Sequence, residues 1–340
     1  MRILIPAAGE GIRLRPHTLA RPKPLLRLAG KTVIDYLLDP LLALNPSELT
    51  LVVGYRGAQL VEHLRDEYDL PLRSVEQDKL LGLGYAVYLG LEQMELDEDL
   101  LILLSDTIVV TDFSRFIGAG ANTIALREVQ DPRRFGVAET EGTRITRLVE
   151  KPAEPATNLA VVGLYYFREP LKLKHALEFL MKSGQKTSGE IQLTDALAGM
   201  IGDGEEFTAF KIDRWLDCGT RETMLSTNAE LLDTRRSTTN KISNSTIDSR
   251  TWIDPSVEVT DSTIGPNVTV YEKCRVYASS LENCIIGPNT EITSSSIVDS
   301  IIGQGNTVSA ASGRMDIGDY EPTETTNMSQ GLANSVQGSD

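Results

Sequence analysis

The stretch Ile5-Pro6-Ala7-Ala8-Gly9-Glu10-Gly11-Ile12-Arg13-Leu14-Arg15-Pro16 decides how the chain is read. Just before it, Arg2–Pro6 is a short apolar run of the kind that forms a buried strand. The small residues Ala7, Ala8, Gly9 and Gly11 let the backbone come close to a ligand, and loop N–H groups can point at phosphate oxygens. A strand that runs straight into such a loop marks the start of an α/β unit. Two familiar glycine loops are excluded. A dinucleotide fingerprint needs a third glycine where Leu14 stands, and no Walker string occurs. What gives the loop its specificity is charge. Arg13 follows Gly11 by two residues, and Pro22-Lys23-Pro24 lies close behind. A planar guanidinium and a compact ammonium beside one glycine loop, with prolines stiffening the connection, suit a polyphosphate.

Outward from the loop, apolar runs alternate with helical spacing. Strands are predicted at Arg2–Pro6, Leu49–Val53, Leu72–Val75 and Leu100–Leu104, then at Thr123–Leu126, Val137–Glu139, Val161–Phe167 and Phe207–Lys211. Helices are predicted at Val33–Leu44, Ala58–Asp66, Tyr85–Glu92, Leu171–Met181, Leu193–Ile201 and Thr220–Thr234. This alternation predicts an α/β fold with a doubly wound, mixed but mostly parallel sheet. Ligands of such folds sit outside the carboxyl ends of the strands. The glycine loop after Pro6 and Asp106 after Leu104 both lie at such ends.

From Ile247 the texture changes. Apolar residues recur at steps of five or six, through Ile253, Val259, Ile264, Val270, Val276, Leu281, Ile286, Ile292, Ile297, Ile302 and Val308. Ile264-Gly-Pro-Asn267 and Ile286-Gly-Pro-Asn289 repeat one turn. A fixed step of this length predicts a solenoid, similar to the hexapeptide repeats of left-handed parallel β-helices, with roughly four coils. The expected boundaries are a first domain over 1–235, a linker over 236–245, the β-helix over 246–311 and a disordered polar tail over 312–340.

The totals narrow the function. A net charge of −15 over 340 residues argues against nucleic acid and anionic membranes as partners. No apolar run reaches the ~18 residues of a membrane span. The short apolar start at Met1 reads as a strand rather than a signal peptide, which predicts a cytoplasmic protein. The three histidines (His17, His63, His175) and three cysteines (Cys218, Cys274, Cys284) are scattered. They read as core or surface filler and point to neither a triad nor a thiolate metal site.

The string Gly9-Glu-Gly-Ile-Arg-Leu-Arg-Pro-His-Thr18…Pro22-Lys-Pro24 resembles the signature of the sugar-1-phosphate nucleotidyltransferases, above all glucose-1-phosphate thymidylyltransferases and uridylyltransferases. Ile12 stands where the family usually has a small hydroxyl residue. Further motifs follow in family order across roughly residues 1–235, and longer members also carry a C-terminal solenoid. The resemblance implies a nucleotide-diphospho-sugar transferase-like fold followed by a left-handed β-helix. It implies that Ala8, Gly9, Gly11, Gln77 and Gly82 bind the nucleotide, the Gln77 amide reading the edge of uracil or thymine. Gly136, Glu150, Tyr165 and Glu190 are expected at the sugar, though strand packing for Tyr165 and helix capping for Glu190 serve equally well. Arg13, Lys23 and Lys151 are implied as catalytic cations. Asp106 and Asp217 are implied as ligands of Mg²⁺, with Thr107 in place of a common Asn.

The implied reaction joins dTTP or UTP to a sugar 1-phosphate, with glucose 1-phosphate expected, and releases pyrophosphate. The phosphate nucleophile is already an anion, so no general base is needed. Two other readings stay open: a non-catalytic regulatory homologue, and a bifunctional enzyme with an acetyltransferase in the solenoid. The first fits poorly with the retained cations and acids. The second fits poorly with the lack of any His after His175. A homo-oligomer is expected.

Overall fold

Side chains along Arg2–Ala7 alternate between two cores. Ile3 and Ile5 enter one, and Leu4 enters the other. Leu101 and Leu103 join the first core, and Leu100 and Ile102 the second. That is period-two burial on both faces of a sheet. Helices Val33–Leu38 and Gly57–Glu67 cover one face. Helices Leu83–Gln93, Pro170–Ser183 and Leu193–Gly202 cover the other. The computed structural model describes residues 1–234, 236–239 and 241–321.

Across the main sheet the strands run Leu72–Glu76, Glu48–Val53, Arg2–Ala7, Leu100–Leu103, Leu159–Phe167, Asn122–Glu128, Thr208–Lys211, Arg144–Glu150 and Gly136–Glu141. The first three neighbour pairs are parallel, and so is Asn122–Glu128 with Thr208–Lys211. The other four are antiparallel. Among the described residues the sheet is therefore evenly mixed, not mostly parallel. One cause is local: Gly142 turns Gly136–Glu141 back into Arg144–Glu150 across a two-residue gap, which only antiparallel strands can bridge. The strand Arg144–Glu150 did not stand out in the sequence because a register shift between Ile145 and Arg147 breaks its alternation.

The helix expected over Val33–Leu44 is split. Thr32 and Asp35 form a capping box that starts it, and it ends at Leu38. Pro40 cannot continue the helix, and Asp39–Leu44 tightens into a 3-10 turn closed by Asn45.

The chain forms two compact units. The first holds Met1–Ile12, Arg21–Leu26 and Thr32–Gly219; the second holds Arg13–Ala20, Arg27–Lys31 and the chain from Thr220 onward. The division thus falls before the helix Arg221–Leu232 rather than near residue 235, and two short N-terminal segments belong to the second unit. Asn228 shows why. Its buried amide accepts from Ala29 N at 2.9 Å and Thr269 Oγ1 at 2.7 Å, and donates to Asn267 O at 3.2 Å.

In the second unit one strand column runs Ile242–Ser243, Glu258–Thr260, Arg275–Tyr277, Glu291–Thr293 and Thr307–Ser309, all in parallel. Register repeats every 17 residues from Ile242 to Val259 to Val276, then every 16 to Ile292 and Val308. Left-handed backbone recurs in step at Asn244, Asp261, Ala278, Ser294 and Ala310. The repeat is shorter than three full hexapeptides because some sides have only five residues. The first rung lies inside the segment expected to be a linker. A second column of parallel strands runs past residue 311: Asp316–Ile317 pairs with Ile301–Ile302, and Ile317 is buried. The start of the expected tail is therefore part of the stack, and residues 322–340 lie outside the described ones.

Ile292 is fully buried between the rungs of Val276 and Val308. Ile292→Ala should cost about 2–5 kcal/mol of stability, read as a lower denaturant midpoint. A loss under about 1 kcal/mol would mean this column is not a close-packed core.

Candidate active site

The parallel strands end together, and short contacts knit their ends. The backbone turns out of Arg2–Ala7 at Ala8, where Gly54 backs it; a Cβ on Gly54 would lie 2.7 Å from Ala8 O. Ser105 Oγ donates to Pro6 O at 2.9 Å, tying the acidic strand end to the glycine loop. A Cβ on Gly9 would meet nothing within 4 Å, so one side of the loop is open. Gly11 has a positive φ of 64°.

Lys23 is buried and donates to Asp106 Oδ2 at 3.1 Å. A buried ammonium is almost never left without a partner, so the carboxylate fixes where this cation sits. Arg214–Asp217 pairs antiparallel with Thr107–Val110, which puts Asp217 opposite Thr107. Cys218 N donates to Asp106 O at 3.1 Å, and Asp217 Oδ1 accepts from Gly219 N at 2.8 Å. Lys23, Asp106 and Asp217 are therefore neighbours, though far apart in sequence.

A second group is built on adjoining strands. Glu150 pairs with Gly136. A Cβ on Gly136 would lie 2.9 Å from Thr194 Oγ1 and 3.3 Å from Glu150 Oε2. Lys151 Nζ reaches Glu150 Oε1 at 3.3 Å, and the Lys151 backbone is left-handed at φ 44°. Tyr165 is buried in the central strand. Burial first, then the charges of Glu150 and Asp106, push its phenol well above the ordinary range. It stays a neutral hydroxyl within the electrostatic reach of both acids.

A third group joins Gly82 to Glu190. Leu81 O accepts from Ile191 N at 2.7 Å, and Gly84 N donates to Ile191 O at 2.8 Å. Glu190 Oε2 accepts from Gln192 Nε2 at 2.9 Å. Gln77 sits just past the end of Glu48–Val53, its N–H on Val53 O at 2.8 Å. Its side-chain amide donates to Lys79 O at 2.9 Å, which engages one of its two N–H groups.

All the expected site residues except Arg13 lie in the first unit; Arg13 opens the segment assigned to the second. Among the described residues no cluster of three or more His, Cys, Asp and Glu side chains forms a metal cage. Two carboxylates on paired chain segments, without thiolate or imidazole, fit Mg²⁺. That ion takes one or two carboxylates and completes its shell with phosphate oxygens and water.

Sequence reading missed Thr194, which faces Gly136, and Gly54 behind Ala8. A glycine right after a buried strand was the available signal for Gly54. It also missed the Phe135–Trp215 edge contact, with ring centroids 4.9 Å apart. Trp215 Nε1 is buried without a hydrogen-bond partner.

Comparison with known proteins agrees with these landmarks. The family model for nucleotidyl transferases matches residues 3–234. The low-salt glycan biosynthesis nucleotidyltransferase Agl11 of Haloferax volcanii is 29% identical over 350 aligned residues, covering 92% of this chain and 94% of that protein. A glucose-1-phosphate thymidylyltransferase of Streptomyces antibioticus is 29% identical over 364, covering 95% of this chain and 99% of that protein. A crystal structure of UDP-glucose pyrophosphorylase with UDP-glucose has the same fold, with a TM-score of 0.61 and 24% identity, over 69% of this chain and 99% of that one.

Gly82 has φ 111°, and a Cβ there would lie 2.6 Å from Ile191 O. Gly82→Ala is expected to cost about 1–3 kcal/mol and to speed amide exchange at Ile191. Parent-like exchange would show that the two segments are not held this closely.

Proposed function

The chain belongs to the nucleotidyl transferase family, and from that premise we propose that it transfers the nucleotidyl group of dTTP or UTP to glucose 1-phosphate, releasing pyrophosphate. The observation that carries the reading is the grouping of Asp106, Asp217 and Lys23 at the ends of strands beside an open glycine loop. It is the arrangement an anionic nucleotide with a divalent ion calls for.

The chemistry is in-line attack by a sugar-phosphate oxygen on the α-phosphorus. The main obstacle is electrostatic. Two unit negative charges 4 Å apart cost about 4 kcal/mol at an effective dielectric near 20. Lys23 is already held at the loop by Asp106, which supports a role at the phosphates. Arg13 offers a bidentate fork for the same oxygens. Lys151, beside Glu150, is suited to the sugar phosphate, and Glu150 and the Gly136 backbone to the sugar hydroxyls. Asp106 and Asp217 would hold Mg²⁺, which when bound neutralises charge that builds on the phosphates. No side chain need act as base. The work of the protein is positioning and charge compensation.

For the base, the Gln77 carbonyl can accept the N3–H of uracil or thymine, and its amide has a second N–H for O4 while the first stays on Lys79 O. The Gly82 backbone offers a further contact. Thymine and uracil differ by one methyl, worth about 1–3 kcal/mol in a pocket, so both nucleotides belong in the assay. Tyr165 is enclosed, which favours a supporting role in the wall over direct contact. Glu190 borders Gly82 and suits the sugar end. The parallel rungs and recurring left-handed corners support reading the C-terminal stack as a left-handed β-helix with a structural, oligomer-forming role.

A matrix of nucleoside triphosphates against sugar 1-phosphates, scored for pyrophosphate, tests the activity. Arg13→Ala and Asp217→Asn should each lower kcat by about 100-fold or more while circular dichroism stays parent-like. Chelation with EDTA should abolish turnover, and added Mg²⁺ should restore it. Near-normal pyrophosphate release by either variant would remove that residue from the mechanism.

A further inference from the structure

We propose that Asp316, in the stacked strand Asp316–Ile317, is a positioning residue for the reaction. It ties together His17 and Arg221, and so fixes the segment that carries Arg13. The inference rests on the proposed role of Arg13 as a phosphate-binding cation.

The two oxygens of one carboxylate serve two different chain segments. His17 Nε2 lies 2.6 Å from Asp316 Oδ1, the ring nitrogen donating to the carboxylate oxygen. Arg221 Nε lies 3.9 Å from Asp316 Oδ2. Both guanidinium Nη atoms of Arg221 donate to Asp299 O, at 3.1 and 3.0 Å. His17 and Arg221 are 6% and 8% exposed, so the two donors are shielded, while the Asp316 side chain is 38% exposed and also meets water. A charge-assisted bond in such a place is about twice as strong as a neutral one.

The neighbours of His17 are held as well. Leu14 and Thr18 are buried, while Leu19 is half exposed. Leu19 N donates to Pro16 O at 2.9 Å, closing a turn around His17. A Cβ on Gly318 would fall 3.0 Å from Pro16 Cβ, so the backbone after Asp316 rests on that turn. On the strand side, Asp316 is set by parallel pairing with Ile301.

The tied residues stand close in sequence to the proposed site. Arg13 precedes His17 by four residues, and Asp217 precedes Arg221 by four. An Arg side chain is long, and its forked contacts on phosphate need a backbone held in place. Misplacement by about 1 Å can cost 100-fold in rate. A carboxylate that anchors the turn just after Arg13 supplies that hold from far along the sequence.

Three full-length variants test this. His17→Phe removes the donor and keeps an aromatic ring. Asp316→Asn removes the charge. His17→Gln keeps a nitrogen donor near the place of Nε2. We expect His17→Phe and Asp316→Asn to lower kcat for pyrophosphate release by about tenfold or more, with KM changing less, and His17→Gln to stay within about threefold of the parent. Amide exchange over residues 13–20 should quicken in the first two and not in the third. If His17→Phe and Asp316→Asn melt earlier but keep the parent's kcat per folded molecule, the tie is merely structural and the proposal is wrong. Should Asp316→Asn fail to fold, the two His17 variants decide alone. A parent that releases no pyrophosphate with any substrate pair would refute the proposed activity instead. Exchange over 13–20 would then judge the tie by itself, and parent-like exchange in His17→Phe would overturn it.

Discussion

Parallel pairing of Arg2–Ala7 between Glu48–Val53 and Leu100–Leu103 is the constraint on which the rest of the first unit depends. Three strands running the same way must end on the same edge. One end becomes the glycine loop, one becomes Gly54 behind Ala8, and one becomes Ser105 and Asp106. None of these residues could find the others through local structure alone. The sheet brings them to one edge, and the Ser105–Pro6 bond and the Gly54–Ala8 contact then set their spacing. Burial on both faces makes this register hard to slip, since a one-residue shift would turn Ile3, Ile5 and Leu4 toward the wrong cores.

The second constraint is charge. A chain with a net charge of −15 can hold an anionic substrate only where cations are fixed locally. Lys23 is a cation fixed in this way. Its ammonium is buried against a carboxylate at the strand end, so its position does not depend on a mobile side chain in water. The arrangement leaves the pair nearly neutral until a ligand arrives. Under the proposed function a phosphate would then share Lys23, and a divalent ion would share Asp106. A lone buried lysine would instead tend to lose its proton, and its charge with it.

Much of this was legible in the sequence where residues announce their own surroundings. Leu100–Leu104 is apolar throughout because it is buried on both faces, and the acid after it marks the strand end. Val259, Val276 and Ile292 recur in step because one side of every rung needs an inward apolar group. Other features depend on partners that spacing cannot name. Arg144–Glu150 has a bulge, so its alternation breaks. Val33–Leu44 has helical spacing, yet Pro40 changes its geometry midway. Gln77 reads as a free amide until Lys79 O is seen to accept from it. The polar residues from Ser312 to Asp316 bury little surface individually. Their order comes from backbone pairing with the rung before, which composition does not report.

The hardest feature to read was membership. Arg13–Ala20 sits within the N-terminal motif in sequence, yet it folds with the chain that follows Thr220. His17 looked like filler because its partner, Asp316, comes 299 residues later. A motif read along the chain assigns both halves of the loop to one domain, since covalent neighbours are assumed to pack together. Here Ile12 and Arg13 are covalent neighbours assigned to different units. The boundary falls between the glycines, which offer backbone N–H groups, and the arginine, which offers charge. The stacked C-terminal rungs therefore do more than extend the molecule. They supply the carboxylate and backbone against which the turn after Arg13 is built, and on the proposed role of Arg13 that contact bears on the charged half of the loop.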